Sequence, residues 1–164
     1  MNNITLSIFK NQIFLEILNE LKLFSKFKIK IYNDLDLYIK NTINSNQIII
    51  LFISETNQDN YKELIKNNLP LIQITKSSNI KNILLGNFTE HLNMPFSILT
   101  LEKKIISLAA RYEFHKNSLI NLNGYIINKN ERKIKKNNLE LQLTEREISF
   151  LILFSKNKGS MSRN

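Results

Sequence analysis

The sequence predicts an α/β protein: a five-stranded parallel sheet with helices on both faces over residues 1–116, then a small unit of short antiparallel strands and one helix over residues 117–164. Three observations predict it. From the first residues to about residue 116, short apolar runs alternate with longer segments of helical period. One run, Ile48-Ile49-Ile50-Leu51-Phe52-Ile53, has no polar face, the pattern of a central strand covered on both sides. Beyond Ser118 the period changes to that of short strands.

Taken in order, Ile4, Leu6 and Ile8 alternate as a strand does, and Ile13, Phe14, Ile17, Leu18 and Leu21 recur at the three-and-four spacing of an amphipathic helix. Phe27, Ile29 and Ile31 interleave with Lys26, Lys28 and Lys30, which predicts an edge or half-exposed strand whose polar side stays wet. Asn33-Asp34 offers a cap for a helix carrying Leu35, Ile39 and Ile43. The central strand at 48–53 follows, then a helix from about Asn60 to Lys66. Leu69-Pro70-Leu71-Ile72-Gln73-Ile74 is a fourth strand that tolerates Pro70 at its start. A weaker helix around Ile80 to Leu85 ends at Gly86, read as a left-handed C-cap. Glu90 to Asn93 supplies the fifth strand, and Leu101, Ile105, Leu108, Ala109 and Tyr112 mark a helix from Ser97 to about Lys116. Right-handed crossovers make such an order a doubly wound sheet, with its sites at the C-terminal ends of the strands. Leu119 to Ile127 and Arg132 to Leu143 read as short antiparallel strands joined by the turn Asn128-Lys129-Asn130, and a helix begins at Thr144.

Composition narrows the function. The 164 residues are 43% hydrophobic, enough for one ordinary core and an appendage. There is no cysteine, which excludes disulfides and thiolate metal sites and suits a reducing compartment. His91 and His115 stand alone without patterned carboxylates and are given structural roles, so no metal site is expected. The start of the chain lacks the basic, continuously apolar pattern of a signal peptide, and no run approaches the ~20 residues that span a bilayer. A soluble, cytoplasmic protein without a membrane partner is the expectation. With three glycines, Gly86, Gly124 and Gly159, the chain has no glycine-rich phosphate loop, and it shows neither a nucleophile elbow nor paired catalytic carboxylates. No enzyme activity, catalytic residue, cofactor or small-molecule substrate is expected. The net charge of +9, from 23 basic and 14 acidic residues, has two readings. It attracts nucleic acid without regard to sequence, or it reflects the Ile, Asn and Lys bias of AT-rich codons.

Two stretches carry a family likeness. Leu92-Asn93-Met94-Pro95-Phe96 resembles the end of the fifth strand and the following turn of response-regulator receiver domains, where the pattern is Lys-Pro-Phe. Leu119 to Tyr125, Arg132-Lys133-Ile134 and Leu141-Gln142-Leu143-Thr144-Glu145-Arg146-Glu147 resemble the start of the winged helix of the OmpR/PhoB type, with Asn157-Lys158-Gly159 and Met161-Ser162-Arg163 following. Thr144 and Glu147 have the spacing of a capping box, and Ile148, Leu151, Ile152 and Phe154 are the helix's expected buried face. The chain therefore resembles a response regulator of the bacterial two-component lineage, with a receiver-like, flavodoxin-like domain and part of a winged-helix domain. The resemblance implies a cis peptide at the Pro-Phe step.

It also implies a phosphorelay chemistry that the residues do not supply. A working receiver needs acids after the first strand to hold Mg²⁺, an Asp at the end of the third, a Ser or Thr after the fourth and a Lys before Pro-Phe. After the first strand stand Ile8-Phe9-Lys10-Asn11, and the earliest acid, Glu16, falls within the helix. Phe52, or Ser54 if the register slips by two, occupies the acceptor position, and Glu55 beyond it has no Mg²⁺ site around it. Thr75 matches the switch position, while Met94, ahead of Pro95, replaces the Lys. A pseudo-receiver that works without Asp phosphorylation is the expectation. The chain stops near the start of the family's second helix, so the recognition helix is expected to be missing and the winged helix truncated. Arg132, Lys133, Lys135, Lys136, Lys156, Lys158 and Arg163, with Lys129, then form a basic tail for weak, non-specific DNA contact, or a solvated face. The function expected is transcription regulation by DNA binding. The alternatives are an interaction module that pairs into a homodimer through the receiver-like domain, or a non-functional remnant.

Overall fold

A computed structural model describes residues 4–34, 38, 47–53, 61, 64, 67–76 and 85–156, with Lys156 described in its backbone alone. Contacts divide the chain into two compact units, Met1–Tyr112 and Glu113–Asn164.

The first unit holds strands β1 (Thr5–Phe9), β2 (Lys28–Tyr32), β3 (Gln47–Ile53), β4 (Leu71–Thr75) and β5 (Thr89–Asn93), with helix α1 (Gln12–Glu20) after β1 and the start of α2 (Ile98–Ser118) after β5. All neighbouring strands run parallel in the order β2-β1-β3-β4-β5. Chain order reverses between β1 and β3, which makes the C-terminal ends of those two strands the topological switch point. The lysine-rich strand is at one edge, where Lys28 and Lys30 keep to solvent while Ile29 packs inward. Strand β3, apolar from Ile48 to Ile53, is central and mostly buried. Side chains alternate across the sheet and separate two apolar layers. On one face, Leu6, Ile8, Ile48, Ile50, Ile72, Ile74 and Leu92 meet Leu18 of α1 and Leu101, Ile105 and Leu108 of α2. On the other, Phe9, Ile49, Leu51, Ile53 and Leu71 meet Tyr38, Tyr61 and Leu64. Each such aliphatic side chain contributes about 1.5–3 kcal/mol on burial.

Of the helices expected at 35–43 and 60–66, only Tyr38, Tyr61 and Leu64 are described, all three buried; the rest lie outside the described residues. So does the helix expected at 80–85, except Leu85, which is exposed and in no helix.

The second unit departs from expectation. The short antiparallel strands expected over 119–127 and 132–143 are four: β6 (Leu119–Leu122), β7 (Tyr125–Asn128), β8 (Lys133–Lys136) and β9 (Leu139–Gln142), an antiparallel meander in chain order, followed by α3 (Glu145–Lys156). The physical reason lies in two asparagine-led turns. Asn123 and Gly124 both adopt positive φ, 48° and 82°, as the commonest two-residue hairpin turn requires. Asn137, at φ 52°, turns β8 into β9. In the expected turn, Asn128 Oδ1 accepts from the amides of Asn130 and Glu131 at 3.0 and 3.1 Å. Ile127 and Ile148 are buried, but Phe154 is not part of the buried face: it is 41% exposed, its ring edge-on to Phe150 at 4.7 Å.

Candidate functional site

The C-terminal edge of the parallel sheet is where this topology places a site, and among its described residues are Lys10, Asp34, Phe52, Ile53, Thr75, Asn93 and Met94. Register sets them in rows: Phe52 lies beside Ile74, and Ile53, Thr75 and Asn93 form the last row across β3, β4 and β5. Lys10 follows β1 at positive φ, its amide donating to Tyr32 O at 3.0 Å, and Asn11 Oδ1 then caps α1 by accepting from the Phe14 amide at 3.0 Å. Where an ion-binding receiver needs acids, the chain presents a lysine and a neutral helix cap.

Phe52 turns its ring into the layer under α1, edge-on to Phe14 at 4.9 Å. A side chain committed to the core in this way has no oxygen to phosphorylate. Ser54 and Glu55 lie outside the described residues. Met94 is 41% exposed beyond β5, and its amide donates to Thr75 O at 2.8 Å. The cis peptide is Met94–Pro95, not the Pro95–Phe96 bond expected at this turn, because the tertiary amide that makes cis accessible is the one formed by the proline nitrogen.

Thr75 is only 1% exposed and is tied into a polar cluster that the strand-by-strand reading missed. Its Oγ1 lies 2.9 Å from His91 Nε2 and donates to Asn93 Oδ1 at 2.7 Å. Gln73, fully buried, lies beside His91 in the ladder. Burial holds the His91 imidazole below its ordinary pKa, and the Lys104 ammonium lowers it further. Glu90, one residue earlier, accepts from Lys104 at 2.7 Å and from Arg111 at 3.0 Å, which joins β5 to α2. Burial raises its carboxyl, but the two cations outweigh burial and leave it below the ordinary value. Lys26 likewise pairs with Glu102 of α2. No group of three His, Cys, Asp or Glu among the described residues could hold a metal ion.

In the second unit, Thr144 Oγ1 and its own amide both donate to Glu147 Oε2 at 2.8 Å, and the Glu147 amide reaches back to Thr144 Oγ1 at 3.4 Å. These bonds from Thr144 lower the Glu147 carboxyl's pKa. The basic side chains expected to form a tail are partly engaged by neighbours. Arg132 pairs with Glu145 at 2.6 Å, Lys133 pairs with Glu140 at 2.7 Å, and Lys136 lies over the Tyr125 ring at 4.3 Å. Lys135 is exposed and faces Glu140 across the ladder. The amide of Lys129 donates to Ser118 O at 2.8 Å. The Lys156 side chain, Lys158 and Arg163 lie outside the described residues.

No protein-family model and no curated protein sequence matches the chain. Solved structures do match in fold. A mutant of RitR superposes with a TM-score of 0.56 at 12% identity, covering 98% of this chain and 76% of its own. A structure described as one of a novel family of redox sensors in the streptococci, evolved from two-component response regulators, gives 0.52 at 15% identity with the same coverage. The receiver domain of the Francisella response regulator 1452 gives 0.53 at 19% identity over 68% of this chain and 99% of its own. The fold is thus receiver-like, a five-stranded parallel sheet with helices, joined in one chain to a four-stranded antiparallel sheet. Among the described residues no helix is long and apolar enough to cross a membrane.

Proposed function

We propose that the chain is a response-regulator-like transcription regulator of the OmpR/PhoB type whose receiver-like unit works without Asp phosphorylation. One observation carries the reading. Just beyond β1, at the end of β3 and just beyond β5 of a receiver-like sheet stand Lys10, Phe52 and Met94, so these three described positions supply no carboxylate for Mg²⁺ or a phosphoryl group. The likeness to redox sensors descended from response regulators supports the idea that this fold serves other inputs, although a chain without cysteine has no thiol for a redox one. DNA contact is assigned to the second unit, whose hairpins and capped helix resemble the opening of a winged helix. With Arg132, Lys133 and Lys136 partly engaged by neighbouring side chains, that contact is weak and made through phosphates.

Titrating salt against binding to a random duplex and to a candidate operator tests this. The reading expects affinity that falls linearly on a log-log plot for both duplexes. Absence of binding to either duplex at low salt would refute the DNA assignment.

A second reading, a homodimerising module, is favoured by apolar side chains that the first unit leaves in solvent: Ile13 and Ile17 on α1 and Leu99 on α2. Sedimentation over a range of protein concentrations decides it. A monomer at every concentration excludes that reading.

A further inference from the structure

We propose that the open edge strand β9 is a self-pairing surface: two copies of the chain join their antiparallel sheets edge to edge through β9, with Leu141 on the two-fold axis. The inference goes beyond the proposed function, whose dimer reading rests on the first unit, and it stands whether or not the chain contacts DNA.

The open edge follows from register. Among the described residues β9 is the last strand of its sheet, and all of its residues are exposed. Bonded and non-bonded pairs alternate along an antiparallel ladder, so one bond fixes which way each residue's backbone points. The Leu143 amide donates to Arg132 O, so the backbone groups of Leu139 and Leu141 face β8 and those of Glu140 and Gln142 face away from it. The amides and carbonyls of Glu140 and Gln142 are thus offered to another strand. Strand β2, an edge of the other sheet, keeps Lys28 and Lys30 in solvent, a common guard against such pairing. Strand β9 carries one charge, Glu140, and Lys133 already engages it at 2.7 Å.

The side chains select a second copy as the occupant. Register sets Ile120, Ile127, Ile134 and Leu141 in one row across the sheet. Burial falls from the middle of this row to the edge: Ile127 is fully buried, Ile134 half-buried and Leu141 68% exposed. Leu139, on the same face, is 78% exposed. Opposed residues of an antiparallel pair share a face, so a two-fold axis normal to the sheet must pass through a residue. An axis at Glu140 would set two carboxylates directly against each other, which is unfavourable. An axis at Leu141 sets Leu141 against its own copy in a non-bonded pair, the closer kind, and Glu140 against Gln142, whose outward backbone groups then bond. Leu139 meets Leu143, and each Glu140 keeps its Lys133. The aliphatic row then continues from one copy into the other, and the two-fold closes both β9 edges.

Sedimentation of the whole chain over a range of concentrations, with hydrogen exchange at single amides, tests this. The wild type is expected to dimerise, and its Glu140 and Gln142 amides should exchange more slowly as concentration rises, while the Leu143 amide is protected throughout. Leu141→Lys and Leu141→Glu should each weaken the dimer by about tenfold or more, because like charges then stand opposite each other, and an equimolar mixture of the two variants should regain it. A wild type that stays monomeric overturns the proposal. So does a dimer that both variants leave intact, which assigns association to another surface, and so does weakening without recovery in the mixture, which removes Leu141 from the axis. A monomer whose Glu140 and Gln142 amides are already protected overturns it as well, since the chain then covers its own edge. Should either variant not fold, the concentration dependence of wild-type exchange decides alone.

Discussion

Thr75 and Glu90 sit on neighbouring strands of one sheet and face different problems. Thr75 is buried and neutral, so it needs hydrogen-bond partners, and β5 supplies them in His91 and Asn93. Glu90 is half-buried and charged, so it needs cations, and α2 supplies two. Because the folded state holds the Glu90 carboxyl below its ordinary pKa, that carboxylate's contribution is present above the usual carboxylate range and is lost as pH falls below it. Glu90→Gln should therefore flatten the acid limb of a stability-versus-pH curve, and an unchanged acid limb would contradict the pairing. Gly124 makes a second residue-scale case. A Cβ added there meets nothing within 4 Å, yet φ is +82°, so strain rather than crowding opposes a side chain. Gly124→Ala is expected to cost about 1 kcal/mol in denaturant unfolding, and a neutral result would show that the turn relaxes.

At the scale of elements, burial depends on which side of a helix or strand faces the sheet. Ile105 of α2 is fully buried between Leu101 and Leu108, whereas Ile13 of α1 is 72% exposed. Ile105→Ala should cost about 2–5 kcal/mol and Ile13→Ala close to nothing, as read from unfolding midpoints; equal costs would mean that the layer under α2 is wrongly assigned. The same contrast explains which elements could be read from sequence. The all-apolar run at 48–53 admits only a central strand, and the lysine-interleaved strand was readable as an edge, because each pattern is complete within one segment. The second unit's meander was read as short strands over 119–127 and 132–143, without the division into four. Its Asn123-Gly124 step is a strong local hairpin signal, but it lies between apolar residues on both sides, so the strand pattern ran through it. Phe154 falls at helical spacing with the buried Ile148, yet lies on the exposed side with Phe150 and Leu153, because periodicity alone does not fix how wide a stripe the partner covers.

Taken whole, the molecule has a receiver-like scaffold, with Phe52 and Met94 at positions where the resemblance implies an Asp and a Lys and Thr75 where it implies a Ser or Thr. These placements could be proposed from the sequence, since Phe52 (or Ser54), Thr75 and Met94 are identified by their place relative to single strands. The polar cluster was not legible, because it depends on the register that sets Gln73 beside His91 and Thr75 beside Asn93, residues joined only when β4 and β5 pair. The pairing of Arg132 with Glu145 and of Lys133 with Glu140 was hidden for the same reason: charge counts do not show which cations are already neutralised.

The central claim, a receiver-like fold without Asp phosphorylation, is tested most directly by incubating the whole chain with acetyl phosphate and Mg²⁺ and measuring its intact mass. The account predicts an unmodified mass, and a labile phosphoryl adduct would contradict it.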